Sequence, residues 1–341
     1  MFPIFYVVGL VAAALLALSI GANDMANSTS VVVGSGVLRF RMAFLLFSVS
    51  QLVGALFQGY MVMKTLGRGI VPEVDVIGAI AASLAAFIWI MIATMFGAPI
   101  STTHSITGGI IGVGLAYALF STAKITINLF VIRDIILSWI VSPVMAMVLA
   151  VPLYYIVKRF YDSSMRGNRF NFFVIFFSAF SAYSFGANDV ANATGVYITV
   201  TSRYFGLLDE QSMRLLALYS SFFIALGGIV LGYRVVSTLA FKITRLNIPM
   251  AIAAGFANAF TVWIFTTIPY LILGYGLPIS TTYAAAGSII GVGIAKSKSL
   301  RGVNKKTLIF IVFSWMLTLP VTLVLGLGIY YLLAVILGVN V

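Results

Sequence analysis

Asp24 and Asp189 stand in the same setting. One lies in Gly21-Ala22-Asn23-Asp24-Met25-Ala26-Asn27 and the other in Gly186-Ala187-Asn188-Asp189-Val190-Ala191-Asn192, and both heptads are embedded in apolar sequence. A carboxylate at mid-bilayer depth costs about 2.5–3.5 kcal/mol on insertion scales, so it faces a bundle interior or a water-filled cavity and has a task there. Only eight acidic residues occur in 341, and two of them in matched motifs mark a site. Each heptad supplies a carboxylate and two side-chain amides. Such hard oxygens suit a hard cation, and sodium fits them by the logic that governs calcium and magnesium.

A second duplicated motif offers the complementary chemistry. Pro99-Ile100-Ser101-Thr102-Thr103 recurs as Pro278-Ile279-Ser280-Thr281-Thr282. Proline suits the first turn of a helix, and three hydroxyls follow where unpaired backbone N–H groups point. Helix N-termini attract anions through those groups and the dipole, and hydroxyls add neutral donors. No Lys or Arg lies in any of the four motifs. An anion beside Asp24 and Asp189 is therefore repelled unless cations or protons stand between them, and obligatory coupling of cation and anion follows.

Each motif also has a plainer explanation. The heptads could simply join helices through polar contacts, and Ser and Thr routinely cap helix N-termini. Gly108 with Gly112, and Gly287 with Gly291, have small-residue spacing that suits close helix packing. His104, the lone histidine, follows the first hydroxyl run where the second half has Tyr283. That asymmetry favours a satisfied neutral ring at a helix start over a proton relay.

The elements that must carry these motifs are membrane helices. Hydrophobic residues make up 62% of the chain and charged residues 8%, too few charges to cover a soluble surface. Charge-free runs such as Val76–Ala123 and Leu246–Ala295 exceed the roughly 20 residues that one crossing needs. Glycine, Asn and Asp compete with helical hydrogen bonding, so each heptad is expected to interrupt its helix near mid-membrane. The Pro-Ile-Ser-Thr-Thr motifs predict a second break in each half. No cysteine is present, which removes disulfides and thiol chemistry.

The motifs recur in one order, together with Gly59-Tyr60-Met61-Val62 against Gly232-Tyr233-Arg234-Val235. The chain is thus an internal duplication: residues 1–158 form the first repeat, 159–171 a short basic cytoplasmic linker and 172–341 the second repeat. Basic residues concentrate in Arg39–Arg41, Lys158–Arg169, Arg234–Arg245 and Lys296–Lys306, whereas the intervening connections are poorer in them or balanced by acids. The positive-inside rule then puts these four in the cytoplasm and both termini outside. Equivalent connections carry opposite charge character, so the repeats are inverted, with about five crossings each and an odd number required. Net charge of +12 reports topology and not nucleic-acid binding. Arg133 and Asp134 are expected near the membrane surface.

Both heptads, both Pro-Ile-Ser-Thr-Thr motifs and their order resemble the inorganic phosphate transporter family across nearly the whole chain. The resemblance implies an all-α polytopic membrane protein of two inverted repeats, whose interrupted helices meet at a mid-membrane site. It implies a multi-pass protein of the cell membrane that imports inorganic phosphate by symport and is not an enzyme. Phosphate is then expected at Asn23, Asp24, Ser101, Thr102, Thr103, Asn188, Asp189, Ser280, Thr281 and Thr282. Sodium is expected at Asp24, Asn27, Asp189 and Asn192, co-transported and with no other cofactor or metal. Family members often carry a glutamate where this chain has Lys64 and Ser237, so no coupling role transfers to those positions. A homo-oligomer, at its simplest a dimer, is open. Proton-coupled phosphate or metal-phosphate symport is the alternative within this class. An intramembrane aspartyl protease built on Asp24 and Asp189 is the rival from another class, and it leaves the hydroxyl motifs unexplained.

Overall fold

The computed structural model describes residues 2–68, 70–71, 74–120, 128–163, 169–206 and 210–338. Among the charges used above to infer topology, Glu73, Lys124, Arg166 and Asp209 fall outside these residues. The described chain is helical, with no strand. In the first half, α1 (Phe2–Gly34), α2 (Phe40–Gln58), α3 (Tyr60–Arg68), α4 (Val76–Met95), α5 (Thr102–Phe120) and α6 (Leu129–Ser163) follow one another. In the second, α7 (Arg169–Thr194) and α8 (Tyr197–Phe205) correspond to α1, and α9 (Glu210–Leu231) to α2. The counterpart of α3 is α10 (Tyr233–Ser237), which continues as a π-helical turn over Thr238–Lys242. The half closes with α11 (Ile248–Leu273), α12 (Thr281–Ser297) and α13 (Lys305–Leu337). Of the expected linker, residues 159–163 extend α6 and 169–171 begin α7; residues 164–168 lie outside the described residues.

Eight of these helices, α1, α2, α4, α6, α7, α9, α11 and α13, are long and apolar enough to cross a membrane. Among the described residues this makes four such helices per half, where about five crossings are expected. Helices α4 and α5 run antiparallel as a hairpin. The Tyr117 hydroxyl at the far end of α5 donates to Asp75, the N-cap of α4, at 2.6 Å. In the same way Gly293 of α12 lies against Thr244, just before α11. Each half therefore holds four helices long enough to cross, one of them folded with a shorter partner into a hairpin, α4–α5 in the first half and α11–α12 in the second.

The heptads do not break their helices. Residues 21–27 and 186–192 lie inside uninterrupted α1 and α7. The glycines serve close crossing: Gly21 of α1 presses on the backbone of Ile224 in α9, and Gly186 of α7 on that of Gln51 in α2. One turn earlier, Leu18 meets Gly227 and Tyr183 meets Gly54 in the same exchanged manner. The Asn and Asp side chains bond to other elements and leave the helical ladder intact. Equivalent glycines pair across the halves again where Gly108 and Gly112 of α5 pack on α13, and Gly287 and Gly291 of α12 on α6. Helix α1 and its counterpart run antiparallel, with Ser178 of α7 against Ser28 and, past a kink at Gly195, Tyr197 of α8 against Gly9. The two halves thus interlock about an approximate twofold axis.

Candidate ion and anion site

The Pro-Ile-Ser-Thr-Thr motifs do interrupt the helical path, forming the extended returns of the two hairpins. The prolines do not occupy the first helical turn as expected. Pro99 and Pro278 sit in extended chain ahead of it, where a missing N–H costs nothing, and the serines begin the helix. Ser101 accepts from the His104 N–H at 3.2 Å, and Ser280 from the Tyr283 N–H at 3.2 Å. Both hydroxyls therefore act as N-caps.

Asn23 and Asn188 pin these extended segments in identical fashion. Asn23 donates to Thr94 Oγ1 at 2.9 Å and to the Ala98 carbonyl at 3.0 Å, and its oxygen accepts from the Ile100 N–H at 3.1 Å. Asn188 donates to Thr266 Oγ1 at 2.9 Å and to the Leu277 carbonyl at 3.0 Å, and accepts from the Ile279 N–H at 3.3 Å. All amide hydrogens of both side chains are spent on the hairpins. Thr94 and Thr266 do not stand out in the sequence. Thr94 lies five residues before Pro99 and Thr266 twelve before Pro278, and this length difference hides the match.

The aspartates and the remaining asparagines form a closed circuit with the threonines. Thr102 donates to Asp24 Oδ2 at 2.6 Å, and Asn192 donates to Thr102 and to Asp189 Oδ1, each at 3.3 Å. Thr281 donates to Asp189 Oδ2. Asn27 donates to Thr281 at 3.1 Å and to Thr282 at 3.0 Å, and Thr282 lies 3.2 Å from Asp24 Oδ1. Each asparagine therefore serves the hydroxyls of the opposite half. The breaks meet directly as well, since Thr103 donates to the Ile279 carbonyl at 2.8 Å and Thr282 to the Ile100 carbonyl at 2.9 Å. The N-termini of α5 and α12 converge on one buried point.

The electrostatics of that point are unbalanced. Asp24 and Asp189 are fully buried, and among the described residues neither has an ion-pair partner; the ion pairs found, Arg133–Asp134 and Arg214–Glu210, are exposed. A buried charge without a partner is strongly unfavourable. The side-chain oxygens of Asn27 and Asn192 are buried and lack any hydrogen-bond partner. Two carboxylates and two unpaired amide oxygens, placed symmetrically, form a donor set for cations and not for a positive side chain.

His104 fits the neutral role expected of it. Its Nδ1 lies 2.5 Å from Ser101 Oγ and its ring stacks on Trp139. Its counterpart Tyr283 stacks on Trp315, and the two middle rings lie 4.7 Å apart, forming a four-ring column between the hairpins. Ser237 bonds back to the Tyr233 carbonyl at 2.8 Å; the Lys64 side chain lies outside the described residues.

Two converging helix N-termini suit an anion, and comparison with known proteins points to one. A family model described as the phosphate transporter family matches residues 20–169 and again 161–326. The chain belongs to the phosphate transporter family. It is 31% identical to a "putative phosphate permease" of Thermococcus kodakarensis, over 94% of this chain and 96% of that one. A relative bearing the same description in Pyrococcus abyssi is 30% identical over 90% and 92%. A solved structure described as "The sodium-dependent phosphate transporter" superposes with a TM-score of 0.83 at 28% identity, covering 97% of this chain and 99% of the other. Membership in a transporter family sets the aspartyl-protease alternative aside: the chain is not an enzyme.

Proposed function

We propose that the protein imports inorganic phosphate by symport with sodium. The observation that supports this best is the pair of buried, uncompensated aspartates at the meeting point of two helix N-termini, each with an unpaired asparagine oxygen one helical turn away. Asp24 with Asn27, and Asp189 with Asn192, each hold a sodium ion. The two ions cancel the carboxylate charge and turn the point positive. Phosphate then docks between them on the first-turn N–H groups and on the hydroxyls of Ser101, Thr102, Thr103, Ser280, Thr281 and Thr282, the threonine hydroxyls turning to it from the aspartates and carbonyls they otherwise serve. Asp24 and Asp189 face the anion through the ions. Asn23 and Asn188, whose amide hydrogens are already engaged, contribute by holding the breaks in shape. The sodium dependence of the structural neighbour supports sodium as the coupling ion.

Thr102→Val and Thr281→Val keep the side-chain shape and remove a donor. A hydrogen bond to a charged group is worth about 1.5–3 kcal/mol, so each change should weaken phosphate affinity about tenfold or more while moving sodium affinity less. Equal losses of both affinities in titration calorimetry would reduce these hydroxyls to supports of the Asp24 and Asp189 carboxylates.

The basic connections lie in the cytoplasm and both termini outside, in the cell membrane. Leu129 and Lys305 open the last helix of their respective halves and are both exposed. Single cysteines at these positions should react with an impermeant thiol reagent from opposite faces, Leu129→Cys from outside and Lys305→Cys from the cytoplasm. No native cysteine interferes. Reaction of both from one face would defeat the inverted topology. Transport itself is tested in proteoliposomes with sodium and pH gradients imposed separately. Labelled phosphate should accumulate only with the sodium gradient; accumulation driven by pH alone would replace sodium by the proton.

A further inference from the structure

The Gly-Tyr motif pair at residues 59 and 232 keeps its glycine, tyrosine, valine and threonine in both halves, yet it touches neither aspartate. Its threonines, Thr65 and Thr238, are also unusual in where their hydroxyls point. Thr29, Thr194, Thr266, Thr318 and Thr322 all bond back to the carbonyl four residues earlier in their own helix, the usual habit of a helical threonine. Thr65 instead donates to the Gly276 carbonyl and Thr238 to the Gly97 carbonyl, each at 2.8 Å.

These two carbonyls are at the tips of the hairpins, and each tip belongs to the half opposite its threonine. The tip of α4–α5 is also held by Arg234, whose guanidinium donates to the Met95 carbonyl at 2.8 Å. The tip of α11–α12 is held by a backbone bond from the Gly276 N–H to the Met61 carbonyl at 2.7 Å. Arg234 and Met61 are the same position in the two copies of the motif. Gly97 has φ +66°, a left-handed conformation that suits glycine, and Thr238 opens the π-helical turn, a distortion that frequently accompanies function. In the inverted topology proposed above the hairpins are rooted on opposite faces, so each tip closes the site toward the face opposite its root.

We infer that Thr65 and Thr238 are the latches of two gates, with Thr238 closing the route to the face that carries Arg234 and Thr65 closing the other. This rests on the transport reading above, since a carrier must expose its site to each face in turn. Each latch is a single hydrogen bond from the opposite half, weak enough to break in every cycle and specific enough to hold one gate while the other opens. Arg234 gives the first gate a second tie that the other gate makes through backbone alone.

Ala98, within the α4–α5 tip, and Val62, against Gly276 of the α11–α12 tip, are buried and serve as reporters once replaced singly by cysteine. Labelling by an impermeant thiol reagent is read in choline without phosphate, so it does not depend on which ion drives transport. Thr238→Val should raise the labelling rate of Ala98→Cys about three- to tenfold from the Arg234 face and leave Val62→Cys unchanged. Thr65→Val should do the reverse from the other face. Thr238→Ser and Thr65→Ser, which keep the hydroxyl, should restore the parent rates. Unchanged rates in both valine variants, or a rise at both reporters with either one, would overturn the inference. Failure of the unmodified protein in proteoliposomes to move labelled phosphate under either a sodium or a pH gradient would instead refute the transport reading while leaving face-selective labelling intact.

Discussion

Asp24→Asn and Asp189→Asn are each expected to lower sodium-driven phosphate uptake at least 100-fold while the protein remains folded. The amide matches the carboxylate in volume and its one oxygen still accepts from Thr102 or Thr281, so the main link to the facing hydroxyl survives, while the contact made by the other carboxylate oxygen, with Thr282 or Asn192, is given up. What is lost is the charge that draws a cation into a fully buried point. A factor of 100 corresponds to about 2.7 kcal/mol, modest beside the several kcal/mol that separate a paired from an unpaired buried ion. Stability measured without sodium should hold or rise, because the replacement removes an uncompensated charge. Sodium affinity should fall in both variants. Near-normal gradient-driven uptake by either one would remove that aspartate from the coupling machinery.

The second large effect is on folding. Gly21→Ala and Gly186→Ala each place a methyl group far inside van der Waals contact distance of a backbone carbonyl, that of Ile224 or of Gln51. Neither neighbour is a flexible side-chain end, so the helix pairs must separate. Overpacking of this kind costs about 1–3 kcal/mol and sometimes more, and here it also displaces Asp24 or Asp189, three residues away. Both variants should show a clear drop in thermal midpoint and poor recovery of monodisperse protein. Gly328→Ala is the control, since a methyl there meets nothing within 4 Å. Parent-like thermal midpoints for Gly21→Ala and Gly186→Ala would show that the crossings tolerate more space than the geometry allows.

Much of this site is legible in the sequence, because the chemistry is duplicated. A mid-membrane carboxylate is costly enough that two copies in matching heptads point to one place, and the hydroxyl runs after Pro99 and Pro278 identify the ends of two helices. The heptad helices depart from the sequence expectation for a physical reason. Glycine, Asn and Asp weaken an isolated helix, but in α1 and α7 the glycine serves a close crossing and the polar side chains find partners on the hairpins. Local propensity therefore loses to tertiary contact. The prolines lie ahead of the first helical turn because an extended segment tolerates them as well as that turn does. The exchange between halves, in which Asn27 serves Thr281 and Thr282 while Asn192 serves Thr102 and Thr103, leaves no trace in a single sequence. Repeats reveal equivalence, whereas partnership depends on how the repeats interlock. The direct roles of Asn23 and Asn188 are likewise invisible there, since only the geometry shows their amide hydrogens already spent on Thr94, Ala98, Thr266 and Leu277.

Cations that create the phosphate site must make phosphate binding depend on them, before any membrane or gradient is involved. Phosphate affinity of the purified protein, measured at fixed pH and ionic strength while sodium replaces choline, tests this most directly. Affinity should rise at least tenfold and more steeply than in simple proportion to sodium, as two ions filling the Asp24 and Asp189 positions require. His104→Gln should keep that dependence. Phosphate affinity that is the same in choline and in sodium would contradict the account.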